Sequence, residues 1–160
     1  MARPAPDLRL LAVIDPEACR GRDPVAIAEA AIAGGATLIQ LRDKRGEIRA
    51  TTALARRLIA LRGRPITIND RVDAALAVSA TGVHLGARDL DPVDARRAMG
   101  ADAWIGATAH HAGEVEAAPY DAIDYVGIGP VFATGSKADA LAPIGPQGLA
   151  RLITLIDGRA

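Results

Sequence analysis

The sequence predicts an α/β fold of parallel strands and alternating helices, a TIM-type (β/α)8 barrel of which about six units are present in one domain spanning residues 1–160. Three observations lead there. Short apolar runs recur at residues 8–14, 37–41, 65–68, 82–85, 103–107 and 124–128, each reading as a strand buried on both faces. Longer stretches with helical spacing separate them, which calls for parallel pairing and right-handed crossovers. Polar residues mark one strand end after another: Asp15, Gln40 with Arg42, Asn69 with Asp70, His84, Thr108 with His110, and Gly129 with Thr134. A doubly wound sheet needs such residues only at its switch point, whereas every strand end of a barrel faces one shared mouth.

The first run ends at Ile14-Asp15-Pro16, where a dinucleotide or nucleoside-triphosphate fold would place a glycine-rich loop, so those ligands are disfavoured. Asp23-Pro24 then opens a helix that closes at Gly34-Gly35, combining an N-cap with proline at the first helical position. Asp91-Pro92 repeats the device in a helix closing near Gly100, and a last helix is expected over 147–156. His84 lies within the fourth strand and reads as a satisfied core or supporting imidazole rather than a base. His110 and His111 follow the fifth strand without an assigned role. A complete barrel usually takes about 250 residues and seldom fewer than about 200. With two units missing, the first and sixth strands are expected to be open edges, which favour association into homo-oligomers or aggregates.

Composition narrows the partners. Nineteen basic and nineteen acidic side chains cancel, so no net field draws the chain to nucleic acid or an anionic membrane. The aromatics are only Trp104, Tyr120, Tyr125 and Phe132, too few for base stacking to be a favoured mode. A lone Cys19 supplies neither an internal disulfide nor a thiolate cluster and fits a reducing compartment. No apolar run has signal-peptide or membrane-span character, so a cytoplasmic enzyme of small molecules is expected.

Three clusters carry chemistry. In Gln40-Leu41-Arg42-Asp43-Lys44 the period of two puts Gln40, Arg42 and Lys44 on one side of an extended segment. Arg42 as a bidentate fork and Lys44 as a mobile point charge suit a diphosphate; a solvated turn paired with Asp43 and Glu47 is the bland reading. Asp70 ends the third strand and Asp89 follows the fourth, so neighbouring strand ends bring two carboxylates toward one hard cation, unless both serve as helix caps. After the sixth strand, Gly127-Ile128-Gly129-Pro130-Val131-Phe132-Ala133-Thr134-Gly135-Ser136-Lys137 offers backbone N–H groups, two hydroxyls and an ammonium to phosphate oxygens, or is merely a mobile loop.

Taken together, Gln40-Leu41-Arg42-Asp43-Lys44, Ile68-Asn69-Asp70-Arg71-Val72-Asp73, Gly82-Val83-His84-Leu85-Gly86 with Asp89, and Gly127-Ile128-Gly129-Pro130-Val131-Phe132 with Thr134, Ser136 and Lys137 resemble the thiamine-phosphate synthase family over residues 8–149. The resemblance implies an enzyme joining hydroxymethylpyrimidine diphosphate to a thiazole phosphate with release of pyrophosphate, using Mg2+. It implies that Gln40, Arg42, Lys44, Asn69, Thr134, Ser136 and Lys137 hold the pyrimidine diphosphate, that Arg42 and Lys137 are the catalytic cations, and that Asp70 and Asp89 hold Mg2+. Thr108 falls where the family often has a substrate-binding serine. Thiazole tautomerases of similar barrel fold share several of these motifs, but the two aspartates and the basic cluster favour the synthase. A third reading is an inactive member that only binds a partner.

Overall fold

The computed structural model describes residues 5–135 and 141–156. Strands β1 (Leu11–Ile14), β2 (Leu38–Leu41), β3 (Ile66–Asn69), β4 (Gly82–Leu85), β5 (Trp104–Ala109) and β6 (Tyr125–Ile128) alternate with helices. These are α1 (Pro24–Ala33), α2 (Ile48–Ala60), α3 (Val72–Val78), α4 (Pro92–Met99), α5 (Ala112–Ala117) and α6 (Gly145–Ile156). The strands form one curled, wholly parallel sheet in the order β1-β2-β3-β4-β5-β6, the arrangement of a half-barrel. Among the described residues no helix is long and apolar enough to cross a membrane.

Alternation along each strand divides the molecule into two environments. One set of positions, Ile39, Leu41, Ile66, Ile68, Val83, Leu85 and Ile105, packs with Ala28, Ala55, Leu58, Ala74, Ala75 and Ala95 into the main core beneath the helices. The intervening positions, Leu38, Gln40, Thr67, His84, Trp104 and Tyr125, line the inner face of the curl and are largely polar. The small alanines on the helical side let α1 to α4 lie close on the sheet. Buried Thr51, Thr52, Ala55 and Leu58 form the inward stripe of α2 at helical spacing.

Local signals in the sequence set the helix ends. Asp23 accepts the Val25 N–H at 3.2 Å and Asp91 the Val93 N–H at 2.8 Å, each with proline opening the helix; Gly34 and Gly100 close them. The last helix begins at Gly145, two residues before the expected 147. The preceding backbone is tied to the loop after β6, Ile144 N–H to Pro130 O and Gly145 N–H to Val131 O, both at 2.9 Å.

Two expectations about the strands are corrected. Burial on both faces holds for β2 and nearly for β3 and β5, but β1 and β6 are only partly buried, and Val13 is 50% exposed. Among the described residues each of those two strands pairs on one side alone, so half its neighbours are lacking. The bounds also move. β1 starts at Leu11 rather than at Leu8, residues 7–10 being held by Thr37, whose hydroxyl donates to Asp7 O at 2.8 Å and accepts from Leu10 N–H at 3.1 Å. β5 continues to Ala109 because its backbone stays paired with β6 through Ile128, which places Thr108 inside the strand.

At the N-terminal edge of the sheet a partly buried ion pair joins α4 to the start of β6. Arg96 meets Asp124 at 2.8 Å and also donates to the carbonyls of Ala103 (2.6 Å) and Ala122 (3.2 Å), while Asp124 accepts the Ile105 N–H at 2.7 Å. Removing one side strands the other charge together with a backbone donor. Asp124→Asn is therefore expected to lower unfolding stability by about 2–3 kcal/mol. Breaking the exposed Arg97–Asp94 pair should cost less than about 1 kcal/mol. Urea unfolding midpoints of the two variants check the difference.

Candidate active site

The polar inner face opens at the C-terminal ends of the strands, where the parity of the strands gathers Gln40, Arg42, Asn69, His84 and Thr108 on the same side of the sheet. Gln40 is 5% exposed and sits in register with Thr67. Arg42 continues the ladder beyond β2, its N–H bonding Ile14 O at 2.9 Å. Its guanidinium is held by Asp15 at 2.6 Å, with both side chains less than a fifth exposed. Asp15 in turn accepts the Glu17 N–H, so the loop after β1 fixes the carboxylate that fixes Arg42. Sequence reasoning expected Arg42 and Lys44 to pair with Asp43 and Glu47 if they were mere turn residues. Asp43 instead accepts from Gly46 N–H and the Thr51 hydroxyl, both at 2.8 Å, and shapes the start of α2.

Lys44 crosses to the next strand end and forms an ion pair with Asp70. Asp70 adopts a left-handed backbone (φ 63°), a conformation that aspartate tolerates better than most residues, and its N–H bonds His84 O at 2.8 Å. That backbone carries the chain out of the sheet at the mouth. Asp70 does not cap α3: Arg71 stands at the cap position and no side chain accepts there. Asp89 does not cap α4 either, since Asp91 does; its carboxylate accepts the Gly86 N–H at 2.7 Å. The capping alternative for both aspartates is thereby removed.

The two carboxyl groups meet. Burial pushes the Asp89 carboxyl above its ordinary range, and a hydrogen bond with the Asp70 carboxyl raises it further, against the lowering pull of the Gly86 N–H and of Lys44. Two adjacent carboxylates need a shared proton or a cation between them. A hard divalent ion such as Mg2+ fits this pair of oxygen donors, with water and phosphate oxygens completing its shell. Among the described residues no group of three or more His, Cys, Asp or Glu side chains gathers as a metal cluster.

His84 stands at the centre of the inner face. Its Nε2 lies 2.8 Å from the Thr108 hydroxyl and its Nδ1 3.3 Å from the Tyr125 hydroxyl, the two rings stacking at 5.4 Å between centroids. This agrees with a satisfied imidazole. His110 and His111 are taken up locally: His110 N–H and Nδ1 both lie near the Glu114 carboxylate, at 2.6 and 3.0 Å, and His111 Nδ1 accepts the Glu114 N–H at the start of α5. Thr134 lies in the exposed loop after β6, while Ser136 and Lys137 fall outside the described residues. Thr67 and Tyr125 were missed as site residues by sequence reasoning, and Asp15, marked only as a polar residue at a strand end, was not foreseen as the partner of Arg42. The available signal was Gly106, a glycine inside a strand, which marks a close approach from a neighbour; a Cβ there would lie 2.2 Å from Tyr125 Cζ and 2.5 Å from His84 Nδ1.

Comparison with known proteins points one way. The profile of the Thiamine monophosphate synthase family matches residues 10–157. The thiamine-phosphate synthase of Azorhizobium caulinodans is 48% identical over 149 residues, covering 91% of this chain and 70% of the relative. That of Solidesulfovibrio magneticus is 44% identical, covering 97% and 75%. Among solved structures, thiamine phosphate pyrophosphorylase from Pyrococcus furiosus superposes with a TM-score of 0.74 at 32% identity, over 92% of this chain and 72% of that one.

The carboxylate pair makes a prediction about the metal-free chain. Because the folded-state affinity of Asp89 for a proton is raised, its contribution to stability is greatest below its unfolded-state range and declines as pH rises through the folded value. At neutral pH its charge is a cost. Asp89→Asn should raise the melting temperature in chelator at pH 7, and the gain should vanish as pH is lowered into the range where Asp89 is protonated. Thermal unfolding across pH reads the crossover.

Proposed function

This chain belongs to the thiamine monophosphate synthase family, and from that premise we propose that its mouth binds hydroxymethylpyrimidine diphosphate and couples it to a thiazole phosphate with release of pyrophosphate. The observation that carries this reading is the meeting of Asp70 and Asp89 beside Lys44 and Arg42 at neighbouring strand ends.

In the reaction the bond between the pyrimidine methylene and the diphosphate oxygen breaks, and its electron pair leaves with pyrophosphate. The methylene becomes carbocation-like, and the thiazole nitrogen lone pair forms the new carbon–nitrogen bond. No side-chain nucleophile is required. What the protein must supply is charge stabilisation on the departing oxygens and a fixed position for the pyrimidine. Arg42, held rigid by Asp15, offers a planar fork of donors, and Lys44 a movable point charge. Asn69 and Gln40 present amides from adjacent strands, and the Thr108 hydroxyl completes the row. By the family resemblance Thr134, Ser136 and Lys137 would bind the diphosphate, Lys137 sharing the catalytic role with Arg42. Mg2+ held by Asp70 and Asp89 would supply Lewis-acid stabilisation of the leaving group.

The isomerase alternative requires a free acid–base pair, and the two histidines past β5 are committed to Glu114. The relatives, moreover, are named as synthases. A purely binding role without catalysis gains no specific observation.

Calorimetric titration with hydroxymethylpyrimidine diphosphate, with and without Mg2+, tests the reading. Binding should depend on Mg2+ in the native chain, and Asp70→Asn should weaken it by more than roughly tenfold. Lys44→Ala should weaken the diphosphate while sparing the uncharged alcohol. Equal affinity in excess chelator would sink the metal assignment.

A further inference from the structure

Three side chains of the inner face, Tyr125, His84 and Thr108, form a sequence of hydrogen-bonding groups leading to the mouth. β4, β5 and β6 place His84, Gly106 and Tyr125 in direct register, so the two rings, rooted on strands two apart, meet above the glycine of the strand between them. Gly127 completes the slot, a Cβ there falling 3.1 Å from His84 Cε1. The imidazole is thus confined on two sides by the absence of side chains, and no other residue type fits at 106 without evicting both rings.

The contacts in this slot admit one alignment that runs to the mouth. Burial suppresses the acidity of the Tyr125 phenol, its pKa being pushed up to about 12. It therefore remains a phenol, and its own proton is available to His84 Nδ1 at 3.3 Å. A neutral imidazole that accepts at Nδ1 carries its proton on Nε2. Nε2 lies 2.8 Å from Thr108 Oγ1, so in that tautomer Nε2–H donates to the hydroxyl oxygen. In that arrangement the hydroxyl of Thr108, partly exposed at the end of β5, would carry its proton away from the ring.

We propose that Tyr125 and His84 are positioning residues, which orient the Thr108 hydroxyl as an obligate donor toward an anionic group of the substrate at the mouth. This rests on the reading of the mouth as a diphosphate site. Hydrogen bonds aligned head to tail reinforce one another, and a hydroxyl fixed in advance pays no reorganisation when the anion arrives. The chain also explains why a buried tyrosine and histidine occupy a face whose other tasks belong to charged residues at its rim.

The test has two arms. In the first, the full chain labelled with 15N-histidine is examined by long-range proton–nitrogen correlation. His84 is expected as the neutral Nε2–H tautomer, and in Tyr125→Phe the Nδ1–H form should gain population. A native Nδ1–H tautomer, or a spectrum of His84 unaltered by Tyr125→Phe, would overturn the proposal. In the second, binding of magnesium pyrophosphate is measured by calorimetry on variants whose circular dichroism matches the native chain. Thr108→Val and Tyr125→Phe should each weaken it about tenfold, the worth of one directed hydrogen bond. Thr108→Ser should restore most of what Thr108→Val loses. The double variant should be no weaker than Thr108→Val alone, since Tyr125 acts through Thr108; additive losses would overturn the proposal. Failure of the native chain to bind magnesium pyrophosphate would count against the diphosphate site and against the donor role, while the tautomer spectrum would still decide the hydrogen-bond direction by itself.

Discussion

Parallel strands in sequential register impose the constraint on which the rest of the molecule depends. Each residue on one strand is level with one on the next, and side chains alternate, so a single choice of parity at Gln40 propagates to Thr67 and, two residues on along each strand, to Arg42 and Asn69. Branched aliphatics at the other parity hold the helices. A slip of one residue would bury polar side chains such as Gln40, Thr67 and His84 among Ile39, Ile68 and Ile105 and expose those aliphatics on the inner face. The hydrophobic core and the candidate site are therefore two readings of the same register.

The parts of this arrangement legible in the sequence are those governed by neighbours along the chain. Asp23-Pro24 and Asp91-Pro92 announce helix starts because capping and the fixed φ of proline act within a few residues. The run from Gln40 to Lys44 announces its convergent face because period two is a local property. Its electrostatic partners are not local. Asp15 reaches Arg42 across a sequence separation of 27 and Lys44 reaches Asp70 across 26, distances set by the length of one strand–helix unit rather than by composition. Tyr125 was hidden for the same reason: an aromatic in an apolar strand looks like core until the register shows a histidine level with it across a glycine. Strand bounds failed at Leu8 and at Ala107 because pairing with a neighbour, not the apolarity of the run, decides where a strand ends.

The candidate site and the Arg96–Asp124 ion pair occupy opposite ends of the strands. Arg96 gathers four carbonyl groups and Asp124 near the N-terminal ends, where its role is to tie α4 to the turn before β6. At the other end the partly buried charges are arranged in pairs whose members come from different units. The Asp15–Arg42 pair holds a long side chain in place before any ligand arrives, which lowers the ordering cost of binding. The separation leaves the mouth free to be built from residues that a core would reject.

The pairing of Arg42 with Asp15 and of Lys44 with Asp70 has a consequence for which anions the mouth admits. Summed over these four residues the charge is zero, and an ionised Asp89 makes the set negative. Its cations are thus screened from within, by the protein's own counter-ions, and a passing monovalent anion meets no net attraction from them. Only a ligand that arrives with enough charge to compete with two carboxylates, or with a cation to occupy them, can draw Arg42 and Lys44 onto itself. Small phosphates and carboxylic acids of low charge then compete poorly, because low charge density leaves them a weak affinity for the paired cations.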